Sequence, residues 1–368
     1  MDKASVFQSL KDMKWRDMYL KPIGKYVEYH VLTPPPVPVY LPPEFQTVGA
    51  VYVSWPIYED QVWKVHAKLV KEISEATDAW IFVPNQYWQK AVMLFLSKKG
   101  IDKSKIKFLH IPADGSWARN WGQLTVLSGK NKKPVFICEH YVGYAFQPYA
   151  KKSAKAAIAL GEYLDVPVYQ LPLVCEQGGN IITDGKGTIV VTQRIFEQNP
   201  DVGKVQFEKI LKDYYGCKQI IVLPKLKNEV NGHADFIKFA GPETIFVSSA
   251  PKDSPWYETL EEVVNILSNA RSIDGKNYNI VRVPLPTNYE HAKDFKGWNY
   301  NCGLTINGRQ KKLIVPVYGA PEDKEALKVF QETLPDYKVV GIDYRDYPSG
   351  ATNCQAVEVP PDVAGRLK

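Results

Sequence analysis

The sequence has no run of 18 apolar residues anywhere in its 368 positions, which excludes a membrane-spanning helix. The N-terminal stretch through Lys21 carries charges throughout and contains no apolar core, which a secretory signal peptide requires. We therefore expect neither a signal peptide nor a membrane partner, and a cytoplasmic location.

Cysteine is scarce, with five residues at wide spacings and no CxxC pair. An odd count does not suit a disulfide framework, and the missing close pairs do not suit a zinc ribbon. We expect reduced cysteines in a cytoplasmic compartment. Most should be buried as small apolar side chains, with at most one or two chemically active.

The charge balance is only mildly basic, with 46 Lys and Arg, 40 Asp and Glu, and a net charge of +6. The lysines are scattered rather than clustered, so we expect no nucleic-acid partner. Apolar residues make up 45% and aromatic residues 12%, which is typical of a globular protein with a sizeable core.

Composition changes near residue 47. Before it, a charged amphipathic segment (4–19) precedes the proline-rich run TPPPVP at 33–38, which predicts an extended arm with little regular structure. The sequence thus predicts an N-terminal proline-rich extension, 1–46, and a single domain, 47–368.

From residue 47 onward, strand-like and helix-like segments alternate. Strands are predicted at 48–56, 79–84, 106–112, 133–138, 167–172, 180–183, 187–192, 218–224, 235–240, 243–249, 278–284, 311–317, 337–342 and 355–359. Helices are predicted at 60–77, 86–99, 150–164, 203–215, 256–269 and 322–333. Alternation alone would indicate a doubly wound sheet, but hairpin signals such as Asp184-Gly185 are too many for one. An α/β fold built as a ring of repeated ββαβ units would hold both features.

Four segments combine polar side chains with small residues. They are DGSWARNWG at 114–122, EQGGN at 176–180, NGHAD at 231–235 and SGATNCQ at 349–355. Each alone has an ordinary structural explanation: a loop with packed tryptophans, a turn into a hairpin, a structural histidine and a core cysteine.

His233 and Asp235 precede a predicted strand, and residues two apart in an extended segment face the same way. This predicts a proton-transfer histidine beside a carboxylate that binds a cation. A metal pair is the alternative, but no third ligand is at a recognisable spacing, so we expect no metal and no other cofactor. Cys354 follows small residues and precedes a strand, where a nucleophile could be exposed.

The order of these four segments resembles that in guanidine-modifying enzymes, and most closely that in the bacterial peptidylarginine deiminase / agmatine deiminase family. Further segments agree: PEF at 43–45, GAVYVSWP at 49–56, NIITDGKGT at 180–188, Tyr300 with Asn307-Gly308, and VPVYG at 315–319. The resemblance covers roughly residues 42–360. It implies a five-bladed pseudosymmetric α/β propeller with the site at its centre.

The resemblance also implies a mechanism and its residues. Cys354 would be the nucleophile that attacks the guanidinium carbon, His233 the acid/base and Asp235 a carboxylate that grips the substrate. Further substrate-binding residues implied by the motifs are Trp117, Arg119, Asn120, Gln177, Gly179, Asn180 and Asn353. An amidino-thioether would form on the cysteine and be hydrolysed to a ureido product.

The chain departs from the family pattern at several of these positions. Asn120 stands where the family has Asp, Gln177 where it has Glu, Asn353 where it often has His, and Cys302 where it has Asn. Losing two charged hydrogen bonds weakens guanidinium binding by roughly 1–4 kcal/mol, on the order of 10- to 1,000-fold. One carboxylate and two amides fit a less basic substrate, such as a hydroxyguanidine or a ureido group.

Three functions follow as hypotheses. The first is a Cys-dependent hydrolase of a small guanidino compound, such as agmatine, arginine or peptidyl-arginine, or of a less basic analogue. The second is a catalytically silent binding protein on the same scaffold, and the third is an amidinotransferase. The retained Cys354, His233 and Asp235 favour the hydrolase, whose partner would be a small guanidino-type molecule. A homo-oligomer is left open.

Overall fold

The computed structural model describes residues 33–57, 59–113, 115–138, 150–175, 177–226, 232–287, 298–347 and 352–367, apart from the side chains of 150–154 and 177–178. The strands in these residues are β1 Val39–Tyr40, β2 Ala50–Ser54, β3 Asp78–Phe82, β4 Ile106–Leu109, β5 Leu124–Ser128, β6 Lys133–Cys138, β7 Val168–Gln170, β8 Ile182–Thr183, β9 Thr188–Thr192, β10 Gln219–Leu223, β11 Ile237–Gly241, β12 Thr244–Ser249, β13 Asn279–Pro284, β14 Leu304–Asn307, β15 Lys311–Val317, β16 Lys338–Asp343 and β17 Ala356–Val359. The α-helices are α1 Trp63–Ala76, α2 Gln86–Ser97, α3 Ala118–Trp121, α4 Ala150–Leu164, α5 Gln177–Asn180, α6 Arg194–Gln198, α7 Lys204–Tyr215, α8 Tyr257–Asn269, α9 Asp323–Thr333 and α10 Pro361–Ala364.

Over the described ranges the strands form five small sheets, and none of these closes on itself. Their strand orders are β17-β2-β3-β4, β1-β5-β6-β7, β8-β9-β10, β11-β12-β13 and β14-β15-β16. Every sheet contains an antiparallel pair whose second strand also pairs in parallel with a strand that follows a helix. The ββαβ unit predicted from the sequence is therefore confirmed.

The central strand of each sheet explains why these segments become strands. β2 and β9 are buried along their whole length, and β15 is buried over five of its seven residues. Strands covered on both faces read as nearly continuous apolar runs, as these do. Helices cover them with one apolar face; in α1, Val65, Leu69 and Ile73 are buried.

The first sheet joins the last strand of the described residues to one of the earliest strands. β17, the last strand, pairs antiparallel with β2, and Val357 lies opposite Tyr52. β1 adds to the second sheet through its antiparallel pairing with β5, so the end of the proline-rich extension contacts the body of the protein.

Most predicted strands and helices are confirmed to within a few residues, and the mixed α/β class is confirmed with them. The predicted strand at 180–183 is partly wrong, because residues 177–180 form one helical turn, α5, and the strand begins only at Ile182. The hairpin at Asp184-Gly185 is confirmed: β8 and β9 pair antiparallel, and Gly185 has a φ of 72° that favours glycine.

No helix in the described part of the chain is both long and apolar enough to cross a membrane.

Candidate functional site

Cys354 lies in a 3₁₀ turn, Asn353–Gln355, that leads directly into β17. Its side chain is only 6% exposed and packs with Cys302, which is fully buried, and with the partly buried indole of Trp117. A thiol that packs with a second thiol and an aromatic side chain thus lies directly before β17, a strand of the first sheet.

Cys302 belongs to another 3₁₀ turn, Tyr300–Cys302, that precedes β14. Its thiol donates to the backbone oxygen of Asp235, with a sulfur-to-oxygen distance of 3.8 Å. Thr352 ties the two turns together, because its hydroxyl lies 3.0 Å from the carbonyl oxygen of Cys302. Cys302 therefore connects Cys354 to the segment that carries His233 and Asp235.

His233 is 2% exposed, and its Nδ1 lies 3.9 Å from Oδ2 of Asp235. The two side chains are close, as predicted, but the reason given by the sequence is wrong. Residues 234–237 form a turn, closed by the Ile237 amide donating to Ala234 at 3.0 Å, rather than an extended segment. A nearby carboxylate favours the protonated imidazole.

Gly179, in α5, lies directly under the His233 ring. A Cβ built on this glycine would be 2.2 Å from Nδ1 of His233, closer than any real contact. Its carbonyl also accepts a hydrogen bond of 2.9 Å from the Ala234 amide. The absence of a side chain at position 179 therefore leaves the space that the imidazole occupies.

Replacing Gly179 with alanine is expected to displace the imidazole. With His233 in the acid/base role that the family resemblance implies, kcat/KM should fall roughly 100-fold, since small misplacements of such a group cost about that much. The measurement is steady-state kinetics together with a thermal unfolding curve. Gly203→Ala is the matched control, because a Cβ there meets nothing within 4 Å and its φ is −66°. Equal activity of the two variants would contradict the role given to His233.

Two asparagines flank the Cys354 cluster with buried amides. Asn120 on α3 and Asn353 are 5% and 6% exposed. The Oδ1 atoms of both lack a hydrogen-bond partner among the described residues. Buried amide oxygens are normally satisfied, so these two can accept from N–H donors of a ligand or from water. Helix α3 packs against both α5 and the Cys354 turn, which brings the predicted residues on these elements together.

Asn180 has a different task. It is 1% exposed, and its Oδ1 accepts from the backbone amide of Thr192 at 2.9 Å. The Thr192 hydroxyl in turn bonds to the carbonyl oxygen of Gly232, just before His233. The oxygen of Asn180 therefore supports the histidine segment.

Arg119, also on α3, is 5% exposed, and protein groups occupy much of its guanidinium. Its Nε donates to the carbonyl oxygen of Asn353 at 2.7 Å. Its Nη2 lies 2.6 and 2.7 Å from the two carboxylate oxygens of Glu358. The carboxylate of Glu44 lies 3.9 Å from Nη1.

Sequence reasoning missed several groups that contact the Cys354 turn or the residues that follow it. Glu358 is the one acid within the short apolar strand β17, a signal that could have drawn attention to it. The Tyr344 hydroxyl donates to Oε1 of Gln355 at 2.9 Å. Burial lowers the pKa of His66 to about 3, so this histidine is neutral. The neighbouring Gln355 side chain acts in the opposite direction but does not offset the effect of burial.

Several predicted positions lie outside the described residues: Asp114, Glu176, Asn231 and 349–351, together with the side chain of Gln177. The backbone of Gln177 opens α5. Within the described ranges, no group of three or more His, Cys, Asp or Glu side chains could hold a metal ion.

Comparison with known families gives the class of the protein. The family model for Porphyromonas-type peptidyl-arginine deiminase matches residues 40–360. The chain belongs to this family, and its class is that of a deiminase-type hydrolase of amidine C–N bonds. The resemblance stated from the four sequence segments is thereby confirmed.

Individual relatives agree with this assignment. A Selenomonas ruminantium protein named as a candidate agmatine deiminase is 26% identical over 366 residues, which cover 87% of this chain and 95% of that protein. The solved agmatine deiminase of Enterococcus faecalis is 21% identical, with a TM-score of 0.75 and coverage of 88% of this chain and 96% of the other. The C. jejuni agmatine deiminase has a TM-score of 0.74 at 20% identity, with coverage of 87% and 96%. At such identities the two structures show a shared fold.

Proposed function

We propose that this protein is a Cys-dependent hydrolase of a guanidino compound, such as agmatine, arginine or peptidyl-arginine, or of a less basic analogue. The observation that carries the proposal is the continuous set of contacts from Cys354 through Cys302 to the His233 and Asp235 segment. These contacts support a site in which a thiol, an imidazole and a carboxylate act together, the groups that nucleophilic attack on an amidine carbon requires.

The first half of the proposed reaction forms a covalent intermediate. The Cys354 thiolate attacks the guanidinium carbon, and one C–N bond then breaks. The departing nitrogen takes a proton from the His233 imidazolium and leaves as ammonia. Asp235 is placed to favour that imidazolium, because its carboxylate lies 3.9 Å from Nδ1.

The second half releases the product. His233, now neutral, accepts a proton from water, and the hydroxide attacks the amidino carbon of the thioether. The C–S bond breaks, Cys354 leaves as the thiolate, and the remaining hydroxyl proton passes to the released ammonia, which becomes ammonium, so that a neutral ureido group is formed. This second half returns the sulfur and the imidazole to their starting states.

The buried amides shape the substrate preference in this proposal. The Oδ1 atoms of Asn120 and Asn353 accept N–H donors, but they carry no charge to match a guanidinium. A less basic substrate, with the same N–H groups and a weaker positive charge, therefore fits this site better than a free guanidinium does.

We also propose that the five sheets form the blades of a pseudosymmetric α/β propeller with the site at its centre. The pairing of β17 with β2 supports a ring, since the last strand completes the first sheet. In this arrangement residues 47–368 are one domain, and 1–46 are an extension that reaches it through β1. A cytoplasmic location is proposed with it, because all five cysteines are buried and no two of them are joined in a disulfide.

The proposal is tested by ammonia release from arginine, agmatine, a peptidyl-arginine and a hydroxyguanidine. We expect turnover of at least one, with the ureido product identified by mass spectrometry. No turnover of any of them, together with no alkylation of Cys354 by a haloacetamidine, would instead identify a silent binding protein. Transfer of the amidino group to an added amine would identify an amidinotransferase.

A further inference from the structure

Arg119 contacts the Cys354 turn on both sides of the cysteine. Its Nε bonds to the carbonyl oxygen of Asn353, immediately before the cysteine, at 2.7 Å. Its Nη2 bonds to both carboxylate oxygens of Glu358, four residues after the cysteine on β17, at 2.6 and 2.7 Å. One rigid, planar side chain thus links the start of the turn to the strand that follows it.

The charge of Arg119 is permanent and shielded from solvent. Burial acts to lower the pKa of Arg119, but the carboxylates of Glu358 and Glu44 raise it above its usual value, and the charge of an ionised Cys354 adds to this effect. Glu44 also pairs with Lys238, which is 3% exposed. Because these ions are buried or partly buried, their interactions are screened less than those of surface charges.

Other titratable groups also face the Cys354 turn. Cys302 packs against the thiol, and His233 and Asp235 are reached through Cys302. Burial raises the pKa of Tyr344 well above its usual value, so this phenol stays neutral beside Gln355. Among these groups Arg119 is the one whose positive charge is independent of pH.

We infer that Arg119 is a positioning residue rather than a ligand of the substrate. It holds the backbone of the Cys354 turn in place through hydrogen bonds and supplies a positive charge close to the thiolate. The inference rests on the proposed function, in which Cys354 is the nucleophile. The family resemblance groups Arg119 with the substrate-binding residues, but its Nε and Nη2 donors are taken by Asn353 and Glu358.

The test measures the rate at which iodoacetamide alkylates Cys354 as a function of pH, read at the Cys354 peptide by mass spectrometry. Arg119→Met is expected to raise the apparent pKa of Cys354 by roughly one unit, because a nearby positive charge favours the thiolate. At neutral pH this corresponds to alkylation about ten-fold slower. Arg119→Lys retains the charge and is expected to stay close to the wild type.

Glu358→Gln is expected to shift the apparent pKa of Cys354 in the opposite direction. Removing its negative charge leaves the Arg119 charge less neutralised, so the apparent pKa of Cys354 is expected to fall. A purely structural role predicts otherwise: Arg119→Met would lower the melting temperature and leave the Cys354 pKa unchanged, which would overturn the inference. If Arg119→Met does not fold, Glu358→Gln decides, and an unchanged or raised Cys354 pKa would overturn it.

This readout needs no substrate, so it is independent of the proposed reaction. The expected shifts in a protein that turns over none of the four guanidino compounds would support Arg119 and reject the hydrolase. Turnover of one of these compounds, with no shift in the apparent pKa of Cys354 in the variants, would support the hydrolase and reject the role of Arg119.

Discussion

Replacing Cys354 with alanine is expected to reduce ammonia release from the best substrate by roughly 10,000-fold or more. The reaction proposed for this site passes through a bond between the Cys354 sulfur and the substrate carbon, so no partial route remains when the sulfur is removed. Losing a nucleophile in other enzymes has effects of this size. The measurement is initial-rate kinetics on wild type and variant, with intact mass to detect the covalent intermediate.

Cys302→Ala is the matched control for this experiment. The two thiols lie in the same small cluster, and Cys302 is the more deeply buried, at 0% exposed against 6% for Cys354. We expect this variant to retain activity to within about ten-fold, since the interactions that such a thiol supplies are weak and no bond to the substrate is lost. If Cys302→Ala were inactive and Cys354→Ala active, the nucleophile would have to be reassigned to Cys302.

The longer elements of the fold could be predicted because each carries its own local signal. α1 shows the helical spacing of Val65, Leu69 and Ile73, and the β8–β9 hairpin has Asp184-Gly185 at its turn. The helical turns α3 and α5 were not predicted. A segment of four residues cannot display a 3.6-residue period, and tertiary contacts rather than propensity hold so short a helix.

The residues of the candidate site also fall into two groups, those that a local sequence signal could predict and those that only the folded chain brings together. Cys354, His233 and Asp235 were predicted because each lies in a short motif and the motifs follow a recognisable order. The pairing of Arg119 with Glu358 was not, because the two are separated by 239 residues and only the folded chain brings them together. Gly179 was assigned to substrate binding, whereas its contact with His233 appears only once both backbones are placed.

The second large effect concerns the charge of the substrate pocket. We expect Asn120→Asp combined with Gln177→Glu to raise kcat/KM for agmatine or arginine by about 10- to 1,000-fold. The family pattern has acids at both positions, so each new carboxylate is expected to attract a guanidinium, and Coulomb attraction is stronger in a site sheltered from water than at the surface. Asn120 is 5% exposed, and its Oδ1 has no partner within the described residues, so a carboxylate oxygen there would be available to the ligand.

The same double variant should act in the opposite direction on a less basic substrate. A buried carboxylate without a cation is costly, so turnover of a hydroxyguanidine or ureido compound is expected to fall, and the free protein should unfold at a lower temperature. The added negative charge should also favour the His233 imidazolium and move the alkaline limb of the pH profile upward, because the proposed release of ammonia requires that imidazolium. The decisive measurement is kcat/KM for agmatine and for a hydroxyguanidine, compared across the wild type, both single variants and the double variant.

If the wild type already turns over agmatine efficiently and the double variant gains nothing, the two amides do not set the substrate's charge. In that case the remaining carboxylate, Asp235, would have to balance the guanidinium, and Asp235→Asn would then be the variant that loses agmatine.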